Sequence, residues 1–148
     1  MSNKHDISVL NALITTTCDS VKGFEDAAED AENKRYSAMF AALARSRTDV
    51  AALLQAEVRT LGDEPEDSAS FLGTAHRGFI DLKQALIGKN DTAIVAEVAR
   101  GENHIQAKFE EALRDSGLLS ATLAAINQAF GAVKAGHNQA SALKPDLA

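Results

Sequence analysis

Residues 10–62, LNALITTTCDSVKGFEDAAEDAENKRYSAMFAALARSRTDVAALLQAEVRTLG, read as two long helices folded back on one another. In the first, Leu10, Leu13, Ile14, Val21, Phe24 and Ala28 fall on one stripe of a 3.6-residue period, and Asp6 is placed to cap a helix over about 6–31. The chain turns around Ala31 to Lys34. Tyr36, Met39, Phe40, Leu43, Val50, Leu54, Val58 and Leu61 then carry a second stripe as far as Gly62, a residue type that ends helices. So short a connection sets the two helices antiparallel.

Working outward, residues 62–68 hold the only proline before the tail and end in good capping residues, so they read as the longest internal loop. A third helix to about Ile87 follows from Phe71, Leu72, Ala75, Phe79, Leu82 and Leu86. The run from Gly88 to Asp91 closes it and caps a fourth, over about 91–115, with Ile94, Val98, Ile105, Phe109 and Ala112 inward. After Ser116 and Gly117, a fifth uses Leu119, Leu123, Ile126, Phe130 and Val133. From about Asn138 the composition predicts a frayed end, with residues 143–148 a disordered tail behind a single domain over 1–142. No strand alternation interrupts the pattern, and the expected fold is an all-α antiparallel bundle of four to five helices.

Composition agrees. Aromatics are 5% of the 148 residues, the apolar fraction is an ordinary 45%, and alanine is abundant, which suits closely packed helices. A net charge of −6 argues against a phosphate-binding face, so nucleic acid is not an expected partner. One cysteine forms no intramolecular disulfide, and the chain has neither a secretory segment nor an apolar run near the length that spans a bilayer, so the expected place is the cytoplasm.

Polar residues interrupt the inward stripes at two levels. Arg47 continues the stripe of Leu43 and Val50, while Glu102 lies between Val98 and Ile105; reflecting positions through the turns brings His76 within about a helical turn of them. A buried Arg and Glu are seldom left apart, so Arg47, His76 and Glu102 are expected to form a polar layer, as a register-fixing network or as a ligand site. Gly78, Gly101 and Gly131 fall at nearly the same height, where close helix contact, or room for a bulky neighbour, would offset the cost of glycine inside helices. A second level collects Glu25, Glu97 and His137, the donor types that a divalent metal would need.

Several short pieces carry a resemblance. They are Val9-Leu10-Asn11, Lys22-Gly23-Phe24 and Ala27-Ala28-Glu29-Asp30; Leu54-Gln55-Ala56-Glu57-Val58 into Leu61-Gly62; residues 64–68; His76-Arg77-Gly78-Phe79; Arg100-Gly101-Glu102; and Val133-Lys134 with His137. Together they resemble the small bacterial ferritin-like bundle proteins catalogued as a domain of unknown function, which usually have Trp where this chain has Phe79. The resemblance implies a ferritin-like bundle, sometimes linked with general stress proteins, with no settled activity. Shape does not confer iron chemistry. Di-iron bundles of that shape use Glu-x-x-His on two helices, and this sequence contains no Glu-x-x-His: Ser2, Gly73, Gly101 and Lys134 stand three residues before the four histidines.

Other chemistries find less support. Cys18 lies near the apolar stripe between Ile14 and Val21 and reads as a small buried hydrophobe. Glu110-Glu111 and Asp26-Glu29-Asp30 read as solvated helix faces, and phosphate loops and catalytic triads are absent. The expectation is a non-enzymatic bundle that acts through protein association or small-ligand binding, self-associating as a homodimer through an Ala-rich helix face. A metal-binding bundle with a non-standard site is the alternative.

Overall fold

The computed structural model describes residues 3–65 and 90–142. These residues form four helices: α1 (Lys4–Asp30), α2 (Lys34–Thr60), α3 (Asp91–Leu113) and α4 (Ser120–Ser141). The third helix expected from the sequence, with His76 and Gly78, lies outside the described residues, as does the tail from residue 143.

α1 packs against α2 and α3, and α4 packs against the same two, so the helices close into a four-membered ring. Hydrogen bonds at the two ends fix the directions. At one end the Asp91 carboxylate, in the first turn of α3, accepts from the backbone N–H groups of Glu32 and Asn33 at 2.9 and 3.0 Å, tying α3 to the α1–α2 turn. At the other end Asn3 Nδ2 donates to Leu61 O at 3.2 Å, and the Asp6 carboxylate accepts from Leu119 N–H at 3.0 Å. α1 therefore runs up, α2 and α3 run down and α4 runs up. Each helix is antiparallel to both of its neighbours, and the connection over 61–90 begins at the bottom of the bundle and finishes at the top.

Local sequence sets the helix ends. Asn33 and Asn90 are N-caps whose side chains accept from Arg35 N–H and Ala93 N–H at 2.9 and 3.0 Å. α2 ends in a Schellman arrangement, with Asp63 N–H on Val58 O and Gly62 N–H on Arg59 O, and Gly62 takes the left-handed φ of 91° that it requires. Asp6 does not cap α1, which begins two residues earlier; its buried carboxylate serves the start of α4, whose N-cap Leu119 has no side chain for the task. The last helix also runs three residues past Asn138, where fraying was expected to begin, because Ala140 is buried.

The core has two parts. The lower cluster holds Leu10, Ile14, Leu54, Ile105, Ile126 and Val133, with Phe109 and Phe130 stacked at 5.8 Å. The upper holds Ala27, Tyr36, Leu43 and Ile94, with Phe24 and Phe40 stacked at 6.2 Å. In sequence Arg47 falls between Ala44 of the upper cluster and Val50 of the lower, and Glu102 falls between Val95 and Ile105 in the same way. The charged pair occupies the seam.

Candidate functional site

Arg47 and Glu102 are 0% and 2% exposed and meet fork to fork, Nη1 donating to Oε1 at 2.8 Å and Nη2 to Oε2 at 2.5 Å. Two parallel charge-assisted bonds are the geometry that best offsets the desolvation of both ions. Nη1 also donates to Ser20 Oγ at 2.7 Å and Nη2 to Val133 O at 3.3 Å, so one guanidinium on α2 is bonded to α1, α3 and α4. The Phe24 ring lies 5.3 Å from its Cζ. Room for it comes from Gly136, where an added Cβ would fall 2.9 Å from Nη2 and 3.2 Å from Leu43 Cδ2.

Beside this pair, between α1 and α3, opens a cleft of about 140 Å³. Its base includes Ser20 and Glu102, which carry the network outward from Arg47, and its apolar walls are Phe24, Val98 and Ile105. Gly23 on α1 and Gly101 on α3 line it without side chains, and a Cβ added at Gly101 would meet nothing within 4 Å. Asp19, Glu97 and His104 supply its charged or titratable rim. Glu97 is taken by Arg100, one turn on, at 2.9 Å. Asp19 is exposed on the rim, and partial desolvation against the wall lifts its carboxylate pKa above the ordinary value, with His104 opposing part of the rise.

Of the polar layer read from the sequence, Arg47 and Glu102 meet, while His76 lies outside the described residues. Glu25, Glu97 and His137 are not brought together: Glu25 is exposed, Glu97 belongs to the cleft rim, and among the described residues no group of three or more His, Cys, Asp or Glu side chains converges to hold a metal ion. The level of glycines is a correction. Gly101 and Gly131 are exposed and would accept a Cβ freely, so no close helix contact requires them, and Gly78 lies outside the described residues; Gly136 is a helical glycine that does meet such a demand. Cys18 is half-buried against the lower cluster, and burial raises its thiol pKa to about 11. His104, which carried no role in the sequence reading, stands on the cleft rim with Asp19.

No helix among the described residues is long and apolar enough to cross a membrane. No curated protein matches the chain. The family model described as a domain of unknown function, DUF2383, matches residues 5–115, a span that takes in α2, α3, all but the first residue of α1 and both walls of the cleft. The chain belongs to the DUF2383 family.

Proposed function

We propose that this protein is a non-enzymatic ferritin-like bundle that takes up a small organic ligand in the cleft between α1 and α3. The observation that carries the reading is the cleft itself: apolar walls, a few convergent polar groups and a base held in place by a buried, two-pronged ion pair. Its size bounds the ligand. An apolar cavity of about 150 Å³ holds benzene, so 140 Å³ suits a single ring or a short chain rather than a nucleotide. Binding within a cleft is favoured over docking on a broad face because Leu119 is the one large apolar side chain exposed among the described residues.

A ferritin-like topology is supported by a ring in which each helix is antiparallel to both neighbours while the consecutive α2 and α3 run in the same direction. Bacterial origin, a stress-related role, a homodimer and a cytoplasmic site belong to the same proposal and rest on the resemblance and the composition. The test is a ¹H–¹⁵N titration against a set of single-ring organic compounds, repeated with Gly101→Leu. The variant places a side chain in open space at the cleft wall and improves helix propensity, so it folds while filling the site. Shifts of cleft amides in the parent that vanish in Gly101→Leu support the reading; a set that moves no cleft amide refutes it.

A further inference from the structure

The charges around the cleft cancel in pairs, with one exception. Glu102 is neutralised by Arg47 and Glu97 is paired with Arg100, whereas Asp19 has beside it only the electrostatic influence of His104. We propose that the cleft selects an organic monocation, an amine carrying a small apolar body, with its ammonium on the Asp19 carboxylate and its body against Phe24, Val98 and Ile105. This rests on the cleft being a ligand site, as proposed above.

Charge complementarity is what commits the cleft to an amine. Without a ligand, the rim carboxylate gives up part of its hydration to the cleft wall, only partly offset by His104, and the rise in its pKa reflects that cost. An ammonium group brings three donors and the opposite charge, while the hydroxyls of Thr16 and Ser20 on the same wall offer further acceptors. A carboxylate ligand would face Asp19 and Glu97, while Arg47 is already paired with Glu102, Arg100 with Glu97, and His104 lies beside Asp19. A neutral ligand would leave Asp19 as it is. The apolar walls add affinity for a carbon body without distinguishing these three cases, so Asp19 sets the selectivity.

Matched probes separate the possibilities: benzylamine, benzyl alcohol and benzoate, each titrated by ¹H–¹⁵N NMR into the parent protein, Asp19→Asn and Gly101→Leu, with folding of each variant checked by circular dichroism. The expected result is benzylamine binding about tenfold tighter than benzyl alcohol in the parent, benzoate weakest, and the amine's advantage lost in Asp19→Asn. All cleft shifts should vanish in Gly101→Leu. Equal binding of amine and alcohol to the parent, at cleft amides, overturns the cation selectivity and leaves the ligand site standing. Amine selectivity that persists in Asp19→Asn also overturns it, because the charge responsible then lies elsewhere. If no probe shifts the cleft amides, the ligand-site reading falls together with this one.

Discussion

Replacing Glu102 by glutamine keeps the shape of the side chain and removes its charge. In the parent, two charge-assisted bonds of 2.8 and 2.5 Å balance a guanidinium that has no access to water. In Glu102→Gln one amide oxygen can still accept from Arg47, but the amide nitrogen faces the second guanidinium nitrogen, donor against donor. Ser20 Oγ, Val133 O and the Phe24 face remain, and none of them carries a counter-charge. Stranding a buried ion costs about 3–5 kcal/mol, a large share of the total stability of a domain this size. The pair as a whole is worth much less, because removing both charges also removes both desolvation penalties. Arg47→Met/Glu102→Leu is expected within about 1 kcal/mol of the parent or more stable. Urea unfolding followed by circular dichroism, on the parent, Glu102→Gln, Arg47→Met and the double variant, measures both quantities at constant m-value. A loss below about 1 kcal/mol in Glu102→Gln, or a double variant as unstable as the sum of the singles, would refute the reasoning.

Gly136→Ala should destabilise by about 1–3 kcal/mol despite the better helix propensity of alanine, because the guanidinium its Cβ would meet is held by partners on three helices; a neutral or raised urea midpoint would contradict this. Cys18, with its pKa lifted from 9.0 to about 11, should carry about 100-fold less thiolate at pH 8 than an ordinary thiol and react with iodoacetamide correspondingly slowly; alkylation at the rate of free cysteine would be the contrary result. Asp19 has a folded-state pKa above its ordinary 3.8, so its charge lowers stability at neutral pH, and the folded state takes up a proton before the unfolded state as pH falls. Asp19→Asn should therefore be more stable than the parent at pH 7, with the difference shrinking as pH drops through the folded-state pKa toward 3.8; an advantage that grows on acidification would reverse the sign.

Helix positions followed from periodicity because a stripe such as Leu10, Leu13 and Ile14 has one physical use, burial, and Asn33, Asn90 and Gly62 have strong local reasons to sit at helix ends. The partnership of Arg47 and Glu102 was equally accessible, since an ion on an inward stripe needs a counter-ion and few were available. Burial inside a stripe does not reveal which helices are neighbours. The cleft depends on α1 lying beside α3 in a register anchored by Asp91 against Glu32 and Asn33, more than fifty residues away in sequence. Once that anchor is known, counting up α1 and down α3 sets Asp19 level with His104 and Gly23 near Gly101. Without it, Asp19 and His104 look like ordinary surface residues. The glycines misled for a related reason: a helical glycine marks either a close approach or an open wall, and composition cannot tell Gly136 from Gly101. Asp6 misled because its partner, the N–H of Leu119, lies at the far end of the chain.

The cleft is most directly tested by titrating single-ring amines into the ¹⁵N-labelled parent and Gly101→Leu side by side. Saturable shifts at Ser20, Gly23, Val98 and Ile105 in the parent, absent in Gly101→Leu, are the expected result. Shifts that survive the filled cleft, or none at those amides at millimolar amine, would contradict a ligand site between α1 and α3.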